Sequence, residues 1–204
     1  ANVPLVISDT ELKQLASDAA GGDRFGHSVS IDGGHAVVGA NGNDDNGDSS
    51  GSAYIFVNNH NGSWSQQAKL TANDGAAGDY FGYSVSISGD HAVVGAYGDD
   101  DNGNLSGSAY IFVNDGNGNW SQQAKLTAND GAANDYFGIS VSIDGDHAVV
   151  GAYRDDDNGS NSGSAFIFVN NHNGTWSQQA KLIAGDAAEF DYFGSRVSIA
   201  GDHA

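Results

Sequence analysis

The sequence predicts an all-β protein built from four-stranded antiparallel units, and three observations predict it. Phe25-Gly26, Phe81-Gly82, Phe137-Gly138 and Phe193-Gly194 stand 56 residues apart without slippage. A fixed period of this size marks a repeat architecture, to be read one unit at a time. Each unit holds four short runs rich in β-branched and aromatic residues, separated by Gly, Asn and Asp, which is the pattern of strands and turns. No segment of the repeats carries a long helical period.

The first strand of each unit, A, is Phe-Gly-x-Ser-Val-Ser-Ile, with apolar residues alternating with serine. Serines at Ser28, Ser30 and their copies are small enough for a crowded innermost strand. The turns Asp32-Gly33-Gly34, Ser88-Gly89-Asp90 and Asp144-Gly145-Asp146 follow, and Gly and Asp tolerate the positive φ of tight hairpins. Strand B is His-Ala-Val-Val-Gly-Ala. An acidic loop leads to strand C, Ala53-Tyr54-Ile55-Phe56-Val57 and its copies at 109–113 and 165–169. A Gly/Asn turn leads to strand D, Trp64-Ser65-Gln66-Gln67-Ala68-Lys69-Leu70, repeated at 120–126 and 176–182. Four antiparallel strands per unit, with strand C apolar on both faces, describe the blade of a β-propeller. A β-solenoid is the alternative, although its repeats are usually shorter.

The boundaries expected are blades at 25–80, 81–136 and 137–192, with partial blade pieces at 1–24 and 193–204. Val3-Pro4-Leu5-Val6-Ile7-Ser8 reads as a short strand, which Pro4 confines to an edge or a strand start. Glu11 to Leu15 falls in register with Gln67 to Thr71, and a short amphipathic helix at 10–17 competes with that reading. Residues 193–199 are expected to form a further strand A. Three closures suit these ends: a composite fourth blade, a fragment of a larger propeller, or pairing of open blade edges with another chain, since unpaired edges associate.

At this point the residues carry a resemblance. Phe-Gly-x-Ser-Val, Val-Val-Gly-Ala and Gly-Ser-Ala-Tyr-Ile-Phe resemble the FG-GAP repeat of integrin α-chain propellers and of bacterial surface proteins, over residues 25–204. The resemblance implies a propeller, an extracellular or cell-surface setting, and a role in binding or adhesion without enzymatic activity. Two departures stand out. The last letter of the GAP motif is Asn41, Tyr97 or Tyr153 here rather than Pro. Calcium-binding members resemble one another in an Asp-rich loop between strands A and B, where this chain has only a tight turn, so that site does not carry over.

Lys and Arg number 7 against 26 Asp and Glu, a formal net charge of −19. That excludes nucleic acid, which requires a basic footprint, and docking on anionic lipid. No cysteine is present, so disulfides and thiolate metal sites are excluded. No run of about 18 apolar residues that would span a membrane occurs.

The acidic B–C loops hold the candidate metal ligands: Asp44 and Asp45; Asp99, Asp100 and Asp101; and Asp155, Asp156 and Asp157. Clustered carboxylates before a Gly turn suit Ca²⁺, which takes about 6–8 oxygen ligands. In a propeller the D–A connections emerge on the same face, so Asp74, Asp79, Asp130, Asp135, Asp186 and Asp191 are expected nearby to complete an ion site. The competing reading is that these residues cap turns by bonding their own backbone. Trp64, Trp120 and Trp176 open strand D, where an exposed indole would stack on a glycan; the competing reading is that each covers the blade's outer edge. His35, His91, His147 and His203 recur as turn residues. Asn61, Asn104, Asn119, Asn158 and Asn173 head Asn-x-Ser/Thr triplets, which a Gly/Asn/Ser-rich chain produces by chance. No nucleophile elbow and no pair of carboxylates in distinct environments points to catalysis. The partners expected are an extracellular protein or glycan, or further copies meeting at blade edges.

Overall fold

The computed structural model describes residues 13–201 and 203. The strand expected at residues 3–8, and the start of the helix considered at 10–17, lie outside these residues; 13–16 are neither helix nor strand. Among the described residues, twelve strands form three four-stranded antiparallel sheets in meander order. The first sheet runs β1 (Val29–Asp32), β2 (His35–Ala40), β3 (Ser52–Asn58) and β4 (Trp64–Leu70). The second runs β5 (Ser84–Ser88), β6 (His91–Ala96), β7 (Ser108–Asn114) and β8 (Trp120–Leu126). The third runs β9 (Ser140–Asp144), β10 (His147–Ala152), β11 (Ser164–Asn170) and β12 (Trp176–Leu182).

Within each sheet the hairpin between the first two strands closes over two residues, and its first turn glycine has φ of 54° at Gly33, 55° at Gly89 and 53° at Gly145. An L side chain is disfavoured there, which explains Gly at each. Successive sheets are closest along their first strands and diverge towards their fourth. This fan-like splay makes the strand-A positions the inner edge of three radiating blades. Ser28 and Ser30 accept bonds from the Val85 and Ile87 amides at 3.1 and 3.3 Å. Small hydroxyls thus tie one inner strand to the next, in addition to leaving room.

Two apolar interfaces carry the core. Val37, Ile55 and Leu70 of the first blade pack on Phe81, Val94 and Phe112 of the second. Val93, Ile111 and Leu126 pack in the same way on Phe137, Val150 and Phe168 of the third. Strand C is apolar on both faces because each face meets a different blade. Val85 and Ile87 are 6% and 5% exposed, whereas their first-blade equivalents Val29 and Ile31 are 66% and 65% exposed.

The ladder between the third and fourth strands shifts register at Ile55/Phe56, Ile111/Phe112 and Ile167/Phe168. The residue left unpaired is Gln67, Gln123 or Gln179. A bulge redirects the side chain it carries, and here Gln67 accepts the Trp120 indole N–H at 2.9 Å while Gln123 accepts that of Trp176 at 2.8 Å.

The strand A expected at 193–199 is corrected: these residues form no ladder, because among the described residues no strand pairs along their backbone beyond the single Gly163–Phe193 bridge. They keep the position of one, since the Val197 and Ile199 amides bond Ser140 and Ser142 of the third blade at 3.1 and 3.2 Å.

Candidate functional site

The B–C and D–A connections share one face of the blade array and are bonded to each other. Gly78, Tyr80 and Phe81 donate their amides to the carbonyls of Asp48, Ser49 and Ser50 at 2.9–3.0 Å. The same bonds recur one repeat on, where Asn134, Tyr136 and Phe137 meet Asn104, Leu105 and Ser106. Backbone pairing therefore ties the two sets of loops together.

The carboxylates on this face converge on a lysine. Lys125 Nζ lies 2.7 Å from Asp74, 3.0 Å from Asp99 and 2.5 Å from Asp101. Lys181 stands 2.8 Å from Asp130, 2.8 Å from Asp155 and 2.5 Å from Asp157. In the first repeat Lys69 meets Asp18 and Asp45, and Asn43 takes the place of the third carboxylate at 3.5 Å. Asp99 is buried, and its two oxygens also accept Ser108 Oγ and Tyr110 Oη, each at 2.9 Å. Burial alone would lower the Lys125 pKa, but the carboxylates of Asp101, Asp74 and Asp99 reverse this and raise it. Burial would raise the Asp74 carboxyl, and Lys125 holds it below its usual value instead. Burial and the facing Asp99 raise the Tyr110 phenol well above its ordinary value.

The eight predicted loop carboxylates thus divide by position. Asp45, Asp99, Asp101, Asp155 and Asp157 face the lysines. Asp44, Asp100 and Asp156 instead accept the amides of Ser49, Leu105 and Asn161 at 2.8, 2.7 and 2.6 Å, and so close their own turns. Of the D–A residues, Asp74 and Asp130 join the clusters. Asp79 and Asp135 are buried as caps on the Ala76 and Ala132 amides, each at 2.7 Å. Asp191 caps Ala188 in the same way, and Asp186 is exposed.

The lysines are the residues that sequence reasoning missed. Their signal was present: Lys69, Lys125 and Lys181 are strand-D residues repeated at the period, in a chain with few cations. The carboxylate oxygens of Asp74, Asp99 and Asp101 lie within 4.8 Å of one another, so this cluster can hold a metal ion. The Lys125 ammonium already supplies a positive charge there.

Two of the three tryptophans pack between blades. Trp120 and Trp176 are half-buried against the two inter-blade cores, with their N–H groups bonded to the preceding blade. Their rings meet His35 and His91 edge-on at 6.0 Å. Trp64 packs on Phe25, Tyr54 and Phe56 of its own blade. At Trp120 and Trp176 outward exposure is replaced by blade-to-blade packing, because the bulged glutamine of the preceding blade holds the N–H inward.

A chain of aromatic rings crosses the same face. Tyr83 meets Tyr97 at 4.7 Å, Tyr97 stacks on Tyr80 at 5.1 Å and on Tyr136 at 5.5 Å, and Tyr136 meets Tyr153 at 5.6 Å. Burial and the surrounding phenols push the Tyr97 hydroxyl up to about 12. Arg154 lies over the Tyr136 and Tyr153 rings at 4.6 and 5.4 Å.

Among curated proteins no sequence matches the chain. The FG-GAP repeat family profile matches residues 10–56, 64–112, 120–168 and 176–204. The matches over 64–112 and 120–168 begin at strand D of one blade and end within strand C of the next, so the family's sequence unit straddles two blades. With three antiparallel blades in register and four matches covering most of its length, the chain belongs to the FG-GAP repeat family.

Proposed function

We propose that this chain is a non-enzymatic binding or adhesion module that works at the cell surface or outside the cell and presents its loop face to a protein or glycan. The observation that carries this reading is the backbone pairing of B–C loops to D–A connections, which fixes loops on a rigid scaffold; such loops usually carry recognition. Membership of the FG-GAP family supports it, since these repeats occur in adhesion proteins of propeller type. No described helix is long and apolar enough to cross a membrane.

The Asp74, Asp99 and Asp101 oxygens suit Ca²⁺ by donor type, with Asp130, Asp155 and Asp157 as the equivalent set. An ion would take over the neutralising role of Lys125 or Lys181. Thermal melting with millimolar Ca²⁺ and with chelator tests this, because a ligand bound only to the folded state raises the melting temperature. Identical curves would remove calcium from the reading.

A panel of extracellular proteins and glycans tests the module itself. Saturable binding that is lost when loop-face residues are changed is the expected result. A blank panel together with turnover of a glycan would overturn it. The second reading is assembly through blade edges, favoured by the exposed Val29 and Ile31 where the other blades bury the same positions. Light scattering over a range of concentrations separates the two, since a monomer throughout would exclude assembly.

A further inference from the structure

Across near-identical repeats, the x position of Phe-Gly-x-Ser differs each time: His27, Tyr83, Ile139 and Ser195, with Arg196 replacing the serine that follows. The fold gathers these variable positions. A cavity of about 350 Å³ opens between the inner strands β1, β5 and β9, lined by His27, Tyr83, Ser84, Ile139, Ser140 and Arg196 among others. It lies where strand A begins, on the loop-bearing face. Repetition therefore does not prevent one differentiated pocket, because each blade contributes a different side chain to the common axis.

The charge distribution sets this mouth apart. Among the described residues the clustered lysines pair with aspartates, whereas no arginine forms a salt bridge. All three arginines of the chain belong to this region. Arg196 lines the cavity. Arg24 is close enough to His27 and Tyr97 to act on both electrostatically. Arg154 covers the tyrosines that continue from Tyr97. Arg24, Tyr80, Tyr136 and Tyr192 share the residue position before Phe-Gly, and all adopt left-handed backbone, with φ of 57°, 55°, 58° and 55°. Such conformations are costly for bulky residues and persist where the surroundings enforce them. His27 and Tyr83 form one wall, with ring centres 4.6 Å apart.

We propose that this axial cavity is a binding site for a small carboxylate-bearing sugar of the hexuronate type. The Arg196 guanidinium donates Nη1 to the Ser195 carbonyl at 2.8 Å and forms no salt bridge among the described residues; its other N–H groups suit a carboxylate. The Tyr83 ring offers an apolar face to a sugar ring, while Ser140 and His27 provide polar partners. The volume lies near the lower end of the usual range for ligand pockets, about 300–1,000 Å³, so it selects a monosaccharide unit. The site rests on the binding-module reading of this face and names its ligand class.

The test uses the full 204-residue chain with glucuronate and its neutral counterpart glucose, followed by amide chemical-shift perturbation and saturation-transfer NMR. Glucuronate at about 10 mM, enough to detect a millimolar complex, is expected to shift amides at 26–28, 82–85 and 138–141, with glucose at least tenfold weaker. Arg196→Gln, which changes an exposed side chain, is expected to weaken glucuronate about tenfold or more, the size of one lost charge-assisted pair. Lys13→Gln, which removes a charge that does not line the cavity, leaves binding unchanged. Equal binding of glucose and glucuronate, full binding by Arg196→Gln, or no shift with either sugar would each overturn the site. If a protein or neutral glycan from the panel still binds in the last case, only the uronate site falls and the module reading stands.

Discussion

Gly95 of the second blade lies so close to Gly138 of the third that a Cβ on Gly95 would overlap the Gly138 carbonyl oxygen. Gly39 faces Gly82, and Gly151 faces Gly194, in the same way. The amides of Gly26, Gly82 and Gly138 also donate to the strand-B glycine carbonyl of their own repeat, to Gly39 at 3.0 Å, Gly95 at 3.1 Å and Gly151 at 3.0 Å. The two glycines of the motif therefore meet within one blade and again across to the next. The nearest atom is the backbone oxygen of Gly138, which cannot swing aside as a side chain would, and the Ser84 hydroxyl that donates to it is also in the way. Gly95→Ala is expected to destabilise the fold by about 2–3 kcal/mol, the range for overpacking a tight interior. Thermal or urea unfolding measures it, and a change under about 0.5 kcal/mol, typical of a surface site, would show that the blades can slide apart.

The lysine clusters predict unequal costs of losing the cation. Lys125→Met leaves Asp99 buried beside Asp74 and Asp101 without a counter-charge. A loss of about 3 kcal/mol is expected, as for breaking one partner of a buried pair. Lys69→Met is expected to cost less, because neutral Asn43 replaces the buried carboxylate and Asp45 is half-exposed. Denaturant titration of both variants checks the order, and equal losses would mean that the buried carboxylate is not the decisive charge.

Stability should depend on pH through two opposed groups. Burial, reinforced by Asp99 and Asp155, pushes the Asp79 and Asp135 carboxyls up to about 6. Their folded values lie above the ordinary value, so the folded state binds more protons between roughly pH 4 and 6, and stability falls as pH rises through that window. Asp18 and Asp74 have lowered values set by Lys69 and Lys125, so their contribution is present above pH 4 and is lost on further acidification. A melting-temperature maximum near pH 4–5 is expected from these windows. Asp79→Asn combined with Asp135→Asn should flatten the limb above the maximum while keeping an acceptor for the Ala76 and Ala132 amides. An unchanged limb would refute this origin.

The bulged glutamine predicts a pairwise coupling. Trp120→Leu and Gln67→Leu are each expected to destabilise, and the double-mutant cycle to return about 1 kcal/mol for the N–H bond between them. A coupling near zero would show that the indole is held by packing alone.

Much of the fold was legible in the sequence because its signals are local. Alternating Ser and apolar residues in Val85 to Ile87, the glycine in each two-residue turn, and the 56-residue step define strands, hairpins and blade number without knowledge of tertiary contacts. The bulge at Gln67 was not legible, since a one-residue register shift leaves no mark in Trp-Ser-Gln-Gln-Ala-Lys-Leu. The candidate site was legible by half. Asp99 and Asp101 were identified as oxygen donors from composition, but their partner Lys125 lies on another strand and Asp74 in the connection before the blade. Asp100 could not be separated from its neighbours, because whether an aspartate faces its own backbone or a cluster is set by loop geometry.

The sequence by itself determined the repeat, the antiparallel blade and the acidic character of one face, since these follow from periodicity and residue type. Only the tertiary structure decided how charges are paired and where differences between repeats accumulate. Lys125 neutralises three carboxylates drawn from separate segments, and His27, Tyr83, Ile139 and Arg196, spread over 170 positions of chain, reach one cavity. The physical reason is radial packing: blades stacked by the contact of Gly39 with Gly82 and Gly95 with Gly138 bring equivalent positions of successive repeats together around the inner strands.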